Sequence, residues 1–461
     1  MNPKGKQVVE AANQLRRKLD VNFRDAVVED LYRNAEQIAA RVVQTSSRRK
    51  LDSDYKLDRI LTSPVWGLPI MFLLLMIVFW LTIVGANYPS QLLAEGLFWL
   101  EGQMAQLFAL AGAPDWLTGF LIHGAYKGLA WVISVMLPPM AIFFPLFTIL
   151  EDFGYLPRVA FNMDWLFRKA GAHGKQALTM SMGFGCNAAG VIATRIIESP
   201  RERLIAILTN NFVPCNGRFP TLIMLATVFV AASFPASISS IVAAGTVVGV
   251  VIIGVAVTLI VSWALSRTVL KGEASSFTLE LPPYRKPNVL RVLYTSLIDR
   301  TIFVLWRAII MAAPAGGVIW LLANVHIGGS SLGHWIANFL DPFGRLLGLD
   351  GVILLAYLVA IPANEIVVPT ILMIYANAAT MFEITEMSQL KALLVDQAGW
   401  TLLTAVNLML FALLHNPCST TILTMWKETR SAKWTTLGAL MPLGIAILVT
   451  FTVAQLVRLL F

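Results

Sequence analysis

Residues 178–197 read LTMSMGFGCNAAGVIATRII, a run that is apolar at both ends and interrupted in its middle. About 20 helical residues cross the roughly 30 Å hydrocarbon core of a bilayer. The centre of this run holds Gly183, Gly185, Asn187 and Gly190, which weaken a helix. Because lipid offers no hydrogen-bond partner, broken backbone is tolerated there only where protein or a wet cavity satisfies it. The run therefore predicts a re-entrant or unwound element in a membrane protein.

A second interrupted run extends from Val352 to Ala376, with Pro362, Asn364, Glu365 and Pro369 inside it. Proline removes a backbone donor and collides with the preceding helical turn. A carboxylate within a span is costly and by default functional. The alternative for Glu365 is a structural hydrogen bond to unwound backbone. We expect a second re-entrant element here.

The composition agrees with a membrane protein. Of the 461 residues, 57% are hydrophobic and 13% are charged, about half the charged fraction of a typical soluble domain. The net charge is +8, but the basic residues lie in short stretches between apolar runs, which excludes one continuous surface for nucleic acid. By the positive-inside rule, the basic residues that precede Leu68 place the N-terminus in the cytoplasm.

The predicted fold class is an all-α polytopic membrane protein with an inverted repeat of spans and re-entrant broken helices. The predicted spans are 68–84, 129–150, 204–229, 238–265, 301–323, 400–425 and 437–457. If both interrupted runs leave on the side they entered, every basic loop faces the cytoplasm. The two halves then run in opposite directions, as in transporters that bind substrate between inverted repeats.

The domain organisation follows from these spans. The predicted segments are a cytoplasmic amphipathic helical segment (1–63), a first span with an external interfacial segment (64–128), a first gate-type repeat (129–265), a cytoplasmic basic linker (266–300) and a second gate-type repeat (301–461).

The helix breaks coincide with the side chains that could bind a metal. The candidate metal ligands are Cys186, Cys215, Cys418, Glu365, Asn187, Asn216 and Asn364. Thiolates beside amide and carboxylate oxygens suit a borderline transition metal such as Fe(II) better than Mg²⁺ or Ca²⁺. The alternative is that each cysteine merely fills buried space. We predict a divalent-metal path, with the choice among Fe, Mn and Zn left open.

Seven charged residues, most of them near the predicted cytoplasmic face and one within a predicted span, are expected to form a structural or gating set. They are Glu151, Asp152, Arg158, Asp164, Arg195, Glu198 and Arg218. The first four are expected to form interfacial salt bridges that lock a helix end, rather than an ion entrance. Arg195 and Glu198 are expected to anchor the first re-entrant element at this face.

Several motifs, in one order along the chain, resemble the membrane part of FeoB-type ferrous iron transporters. They read EDFGY at 151–155, GFGCN at 183–187, PCNGR at 214–218, ELPPY at 280–284 and PANE at 362–365. The resemblance runs from Asp58 to the C-terminus. It implies two gate-type repeats, Fe(II) as the transported ligand without a permanently bound cofactor, and a path lined by Cys186, Cys215 and Cys418 on the gate motifs. Glu365 falls on the PANE variant.

Members of this family usually begin with a GTP-binding domain, whereas residues 26–43 resemble only the helical linker that follows it. We expect either a separate GTP-binding subunit or a stand-alone relative. Residues 171–176, GAHGKQ, lack the spacing and the Ser or Thr of a Walker A loop. The chain is therefore not expected to be an enzyme. Its expected partners are a divalent metal ion and the lipid bilayer, with a homo-oligomer left open.

Two other functions remain open from the sequence. Gate-type repeats are also similar to nucleoside-recognition membrane proteins, so a nucleoside or organic-anion carrier would use helix N-termini to bind an anion. A non-transporting membrane scaffold would use its N-terminal helices to recruit a soluble partner. In each case the expected location is the bacterial cytoplasmic (inner) membrane, crossed several times.

Overall fold

The structure is a computed structural model that describes residues 23–42, 48–63, 65–271, 281, 283–382, 384 and 386–460. Parts of the predicted N-terminal segment 1–63 and of the linker 266–300 lie outside the described residues, as do two positions of the ELPPY motif. The described part of the chain is helical apart from one short antiparallel pair, His326–Ile327 with Ser330–Ser331.

The N-terminal part of the described chain contains six helices, including the first predicted span. They are α1 (Phe23–Val42), α2 (Arg48–Leu61), α3 (Gly67–Leu110), α4 (Asp115–Thr118), α5 (Lys127–Phe153) and α6 (Tyr155–Lys169). A π-helical segment, Gly119–Tyr126, joins α4 to α5. Helix α3 has 44 residues and continues well beyond the predicted end of the span at Val84. Leu, Ala, Gln and Glu are good helix formers, and the helix continues through Pro89. It ends just before Gly112, which has a positive φ of 71°.

The predicted first repeat, 129–265, begins within α5 and includes α6. It continues with α7 (Gln176–Gly185), α8 (Asn187–Ala193), α9 (Pro200–Thr209), α10 (Phe219–Leu225) and α11 (Ala236–Arg267). The second contains α13 (Phe303–Asn324), α14 (Leu332–Leu346), α15 (Gly351–Val359), α16 (Val367–Tyr375), α17 (Met387–Lys391), α18 (Leu402–Leu414), α19 (Ser419–Thr429) and α20 (Ala432–Leu460). Short α12 (Val289–Thr295) precedes the second repeat.

Six helical stretches of the described chain are long and apolar enough to cross a membrane. They are 67–110, 115–153, 200–233, 238–267, 402–429 and 432–460. Helix α13 covers the predicted span 301–323, and α14 and α15 meet at a bend of 110°. The chain is therefore an all-α polytopic membrane protein.

The first interrupted run forms a helical hairpin, α7–α8, which we call hairpin one. Its two ends meet, because the Lys175 ammonium donates to the Ile196 carbonyl at 3.2 Å and pairs with Glu198 at 3.4 Å. Cβ atoms built on Gly183 and Gly190 would lie 3.2 and 2.6 Å from the same atom, Oδ1 of Asn210. Residues seven apart in a continuous helix are separated by about 10 Å, so the chain reverses at the tip.

The second interrupted run, α15–α16, forms hairpin two. Its ends also meet, because the Tyr375 hydroxyl donates to the Asp350 carboxylate. The Trp400 indole donates to Asp350 at 3.0 Å and to the Tyr375 hydroxyl at 2.8 Å. Trp400 precedes α18, so the base of hairpin two lies at the start of the stretch Leu402–Thr429.

Hairpin one has its base at the other end of that stretch. Arg195, directly after α8, binds Glu428 in the last turn of α19 through Nη2 at 2.6 Å. Because Trp400 and Glu428 stand at opposite ends of one helical stretch, the two hairpins enter the bundle from opposite ends. This is the arrangement that the two predicted re-entrant elements require.

The two repeats also pack closely through glycines. A Cβ on Gly128 in α5 would lie 2.7 Å from the Cα of Gly316 in α13, and one on Gly124 would lie 3.2 Å from the Gly316 carbonyl. Small residues let helix backbones approach in membranes, where van der Waals packing drives helix association. A larger side chain at Gly128 or Gly316 would force the halves apart.

Candidate functional site

Four backbone breaks bring the candidate ligands together between the halves. Cys186 is the extended residue at the tip of hairpin one (φ −155°, ψ 126°). Cys215 and Cys418 are extended residues that interrupt the stretches 200–233 and 402–429. The three thiols lie within the range of electrostatic interaction of one another, and Cys215 and Cys418 lie within that range of Glu365. All three cysteines are free, with Cys186 buried and the other two half-buried.

Glu365 lies next to the first repeat, although it belongs to the second. It sits in the 3-10 turn at the tip of hairpin two, Asn364–Ile366. A Cβ on Gly217 would lie 2.2 Å from Glu365 Oε1, so any larger residue at position 217 would require this carboxylate to shift. The PCNGR motif of one half therefore contacts the PANE motif of the other.

Arg218 holds the two broken stretches together. Its guanidinium is 2% exposed, and Nη1 donates to the carbonyls of Asn211 at 2.9 Å and Leu413 at 2.8 Å. Nη2 donates to Asn211 Oδ1 at 3.1 Å and to the carbonyls of His415 at 3.3 Å and Asn416 at 3.4 Å. These carbonyls belong to backbone that the helix breaks leave open. One buried cation thus satisfies both breaks.

The candidate amides are placed differently from one another. Asn187 is 3% exposed, and its side chain lies 3.3 Å from Asn211 Oδ1. Asn364 Oδ1 lies 3.3 Å from Nε2 of His415, and that imidazole is fixed by its Nδ1 contact with the Ala412 carbonyl at 2.9 Å. The amides of Asn187 and Asn364 are thus close to other polar groups of the breaks.

A small cavity lies behind the tip of hairpin one. It is lined by Asn216, Gly185, Phe184 and Phe143, among others, and offers about 10 Å³ to the centre of a water molecule. That volume corresponds to about one water. Asn216 and Thr82 are the polar residues that line this space.

The charged set near the base of α5 forms a junction with the N-terminal helix α2. Buried Arg158 donates to Asp58 through Nε at 2.9 Å and to the Gly154 carbonyl at 2.7 Å, and its guanidinium stacks on Tyr284 at 4.1 Å. The Tyr284 hydroxyl donates to Asp58 at 2.6 Å. Burial opposes the charge of Asp58, but the hydrogen bonds from Arg158 and Tyr284 outweigh it and lower the pKa of that carboxyl.

The remaining members of the predicted gating set lie around this junction and the base of hairpin one. Glu151 and Asp152 are exposed in the last turn of α5. Asp164 pairs with Arg168 at 2.5 Å and accepts from the Gly174 amide at 3.1 Å, just before hairpin one. The salt bridges of Arg158 and Asp164 are thus made to Asp58 and Arg168, two residues outside the predicted set.

No group of three or more His, Cys, Asp or Glu side chains in the described ranges is arranged to hold one metal ion. The three thiols and the Glu365 carboxylate therefore do not form one closed coordination shell in the described part of the chain.

Three contributions to the region were not anticipated from the sequence. Asn210 and Asn211, two adjacent amides in the apolar run before PCNGR, contact hairpin one and Arg218. Such a polar pair inside a span is itself a signal, because lipid penalises it. His415 contacts Asn364, 51 positions away, which no local spacing indicates.

The chain is similar to known families over most of its length. A model described as "Nucleoside recognition" (Gate) matches residues 133–229 and 305–432, and one described as "Ferrous iron transport protein B C terminus" matches residues 247–299. The two Gate matches fall within the predicted repeats 129–265 and 301–461.

Several curated relatives are described as Fe(2+) transporters. The Fe(2+) transporter FeoB of Staphylococcus aureus is 30% identical over 413 residues, which cover 87% of this chain and 59% of the relative. The Legionella pneumophila FeoB is 28% identical over 80% of this chain and 49% of the relative. A Porphyromonas gingivalis fusion of Fe(2+) transport protein A with FeoB is 26% identical over 87% and 51%. The chain thus spans about half to three-fifths of these relatives, and no solved structure matches it.

Proposed function

Because the chain corresponds to the membrane part of FeoB-type proteins, we propose that it carries a divalent metal, Fe(II) first among them, across the membrane between its two repeats. The ion is handed among Cys186, Cys215, Cys418, Glu365 and nearby Asn oxygens. What supports this most directly is that four backbone breaks carry three thiols and one carboxylate, and that the break at Gly217 lies against Glu365 of another break.

The donor set fits the proposed ion. Fe(II) is a borderline metal that accepts sulfur and oxygen ligands, whereas Mg²⁺ and Ca²⁺ take oxygen. A carried ion needs ligands strong enough to replace its water and weak enough to release it. A route that offers two or three donors at a time meets both needs. The asparagines Asn187, Asn216 and Asn364 supply neutral oxygens between the charged groups.

The same proposal includes the energy coupling of transport and the orientation of the chain in the membrane. In this proposal the protein lies in a bacterial inner membrane with its N-terminus in the cytoplasm, the orientation that the basic loops favour. A separate GTP-binding subunit supplies the nucleotide dependence, and the N-terminal helices α1 and α2 are the part of this chain that it reaches. Helix α1 suits such a role because Leu31, Ile38 and Val42 are exposed on it.

The test uses downhill flux, so that no energy-coupling partner is needed. Purified protein is reconstituted into liposomes that contain a dye quenched by Fe(II), and ferrous iron is added outside under reducing conditions. The double substitution Cys186→Ser and Cys215→Ser should lower the initial rate at least about tenfold, because a hydroxyl is a poor ligand for a borderline metal. Unchanged uptake would remove the thiols from the route.

The matched control is Ala189→Ser, which adds the same hydroxyl to hairpin one without removing a thiol. Its uptake should equal that of the wild type. Equal losses in the control and in the double variant would mean that the hairpin was disturbed rather than the ligands removed.

A nucleoside carrier is the second candidate, because the Gate model carries the description "Nucleoside recognition". Competition separates the two functions. Excess Mn(II) should slow Fe(II) uptake in the same liposomes, whereas excess nucleoside should leave it unchanged. The opposite pattern would favour the nucleoside carrier.

A further inference from the structure

One carboxylate outside the proposed metal route is held by two cations from the other repeat. Glu428 accepts from Arg195 through Nε at 3.0 Å and Nη2 at 2.6 Å, and from Arg203 through Nη2 at 2.8 Å. The Glu428 side chain is 5% exposed. Paired guanidinium and carboxylate groups in this geometry are among the strong hydrogen bonds of proteins.

This ion-pair cluster joins the segments that carry two of the thiols. Arg195 follows α8, the arm of hairpin one that begins after Cys186. Glu428 ends α19, which begins after Cys418. Hairpin one and α19 therefore cannot separate at this end of the bundle while the cluster is intact.

A polar stripe leads from the thiols to the cluster. Cys418, Thr421, Thr424 and Glu428 are three or four positions apart along α19, so they share one face of the helix. The Thr421 hydroxyl lies 3.3 Å from Cys418 Sγ. Both threonines are buried. The stripe offers hydroxyl oxygens between the thiol and the carboxylate.

An apolar contact lies beside the same interface. Val191 of hairpin one, Ile207 of α9 and Met425 of α19 form a small buried cluster of their own. All three are at most 2% exposed. The end of the interface is therefore closed by two layers: this apolar cluster and then the ion pairs of Glu428.

We propose that Glu428, Arg195 and Arg203 form a gate that closes the route at the Glu428 end of the bundle. Two guanidiniums face one carboxylate, so the closed gate carries a net positive charge that repels a divalent cation. Opening requires hairpin one to move away from α19, which frees Glu428 to face the polar stripe. The repulsion of a metal ion rests on the proposed transport function, whereas the closure itself does not.

The closure is tested by thiol accessibility in the absence of metal. In a Cys186→Ser, Cys215→Ser background, Cys418 is the remaining thiol, and its reaction with a membrane-impermeant maleimide is followed in membrane vesicles of both orientations. Glu428→Gln should raise the labelling rate about tenfold, the effect of losing one charge-assisted bidentate contact. The rise should occur only in vesicles that present the Glu428 end to the reagent.

Two further variants serve as a confirmation and a control for this test. Arg195→Gln combined with Arg203→Gln should raise labelling from the same side, because it removes the other half of the cluster. Asp341→Asn breaks the exposed Arg345–Asp341 pair, 2.6 Å long on α14, and should leave labelling unchanged. Melting temperatures near that of the wild type confirm that the variants are folded.

Labelling at the wild-type rate in both Glu428→Gln and the double arginine variant would overturn the gate. An equal rise in both vesicle orientations, or in Asp341→Asn, would do the same, since it would report general loosening. Because no metal is present, these outcomes do not depend on whether the protein carries iron.

Discussion

The tips of the two hairpins have the same backbone and different chemistry. Cys186 has φ −155° and ψ 126°, and Ala363 has φ −152° and ψ 119°. An asparagine follows each, Asn187 in hairpin one and Asn364 in hairpin two. One tip thus presents a thiol where the other presents a methyl group, and hairpin two has its carboxylate two residues later. The repeated backbone supplies the break, and each half adds its own ligand.

The bases of the two hairpins differ as well. Hairpin one is closed by Lys175 and Glu198, and the Glu198 side chain is 74% exposed. Hairpin two is closed by a hydrogen-bonded set of Asp350, Tyr375 and Trp400. Exposed ion pairs contribute little to stability, whereas buried hydrogen bonds to a charged group contribute more. We infer that hairpin one is the looser of the two, in agreement with a gate at its base.

The strongest test of this comparison removes the link between the halves. Arg218→Ala should lower the free energy of unfolding by about 3–5 kcal/mol, because buried carbonyls of both broken stretches lose their shared donor. Arg218→Lys keeps the charge but loses the forked set of donors, so its free energy of unfolding should lie between those of the wild type and Arg218→Ala. Thermal unfolding in detergent measures both. A melting temperature equal to the wild type in Arg218→Ala would mean that the halves are held together elsewhere.

The next test asks which tip is needed for transport. Glu365→Gln should reduce ferrous iron uptake about 100-fold, since losing a charged contact of about 3 kcal/mol corresponds to two factors of ten. Glu95→Gln, at an exposed glutamate on α3, is the matched control and should transport normally. Flux into liposomes is measured as above. Normal uptake in Glu365→Gln would leave hairpin two as a structural copy of hairpin one.

Much of this comparison could be predicted from local sequence, and some of it could not. Gly183, Gly190 and Pro362 mark the breaks because their effect on a helix is intrinsic, and apolar length marks the spans. The partners of Arg158 and Glu428 could not be predicted. Arg158 binds Asp58, 100 positions earlier, and Glu428 binds Arg195, 233 positions earlier. A charged side chain carries no local signal for which distant charge it meets.

A third test compares the two hairpin bases directly. Asp350→Ala should cost about 2 kcal/mol, because it leaves the Tyr375 hydroxyl without its acceptor and removes one of the two acceptors of the Trp400 indole. It also removes the cap that binds the Ile353 amide at 2.8 Å. Lys175→Met keeps the apolar stem and should cost under about 1 kcal/mol. Both are read as melting temperatures in detergent. Equal drops in melting temperature for the two variants would contradict the inference that hairpin one is the looser hairpin.

The smallest expected effect concerns the junction that holds α2 against α6, next to hairpin one. In the folded protein the pKa of Asp58 is lowered, because hydrogen bonds from Arg158 and Tyr284 outweigh the effect of burial. A group with a lowered folded pKa stabilises the junction at neutral pH, and this contribution is lost as the pH falls below the ordinary value of 3.8.

Amide hydrogen exchange in Arg48–Leu61, compared at matched intrinsic exchange rates, should show α2 protected at pH 7 and less protected near pH 3. Asp58→Asn should abolish this difference and expose α2 at both pH values, at a cost of about 1 kcal/mol. Equal protection of α2 in the variant and the wild type at pH 7 would show that the contact between Leu61 and Asn162, 2.7 Å long, holds the helix without the carboxylate.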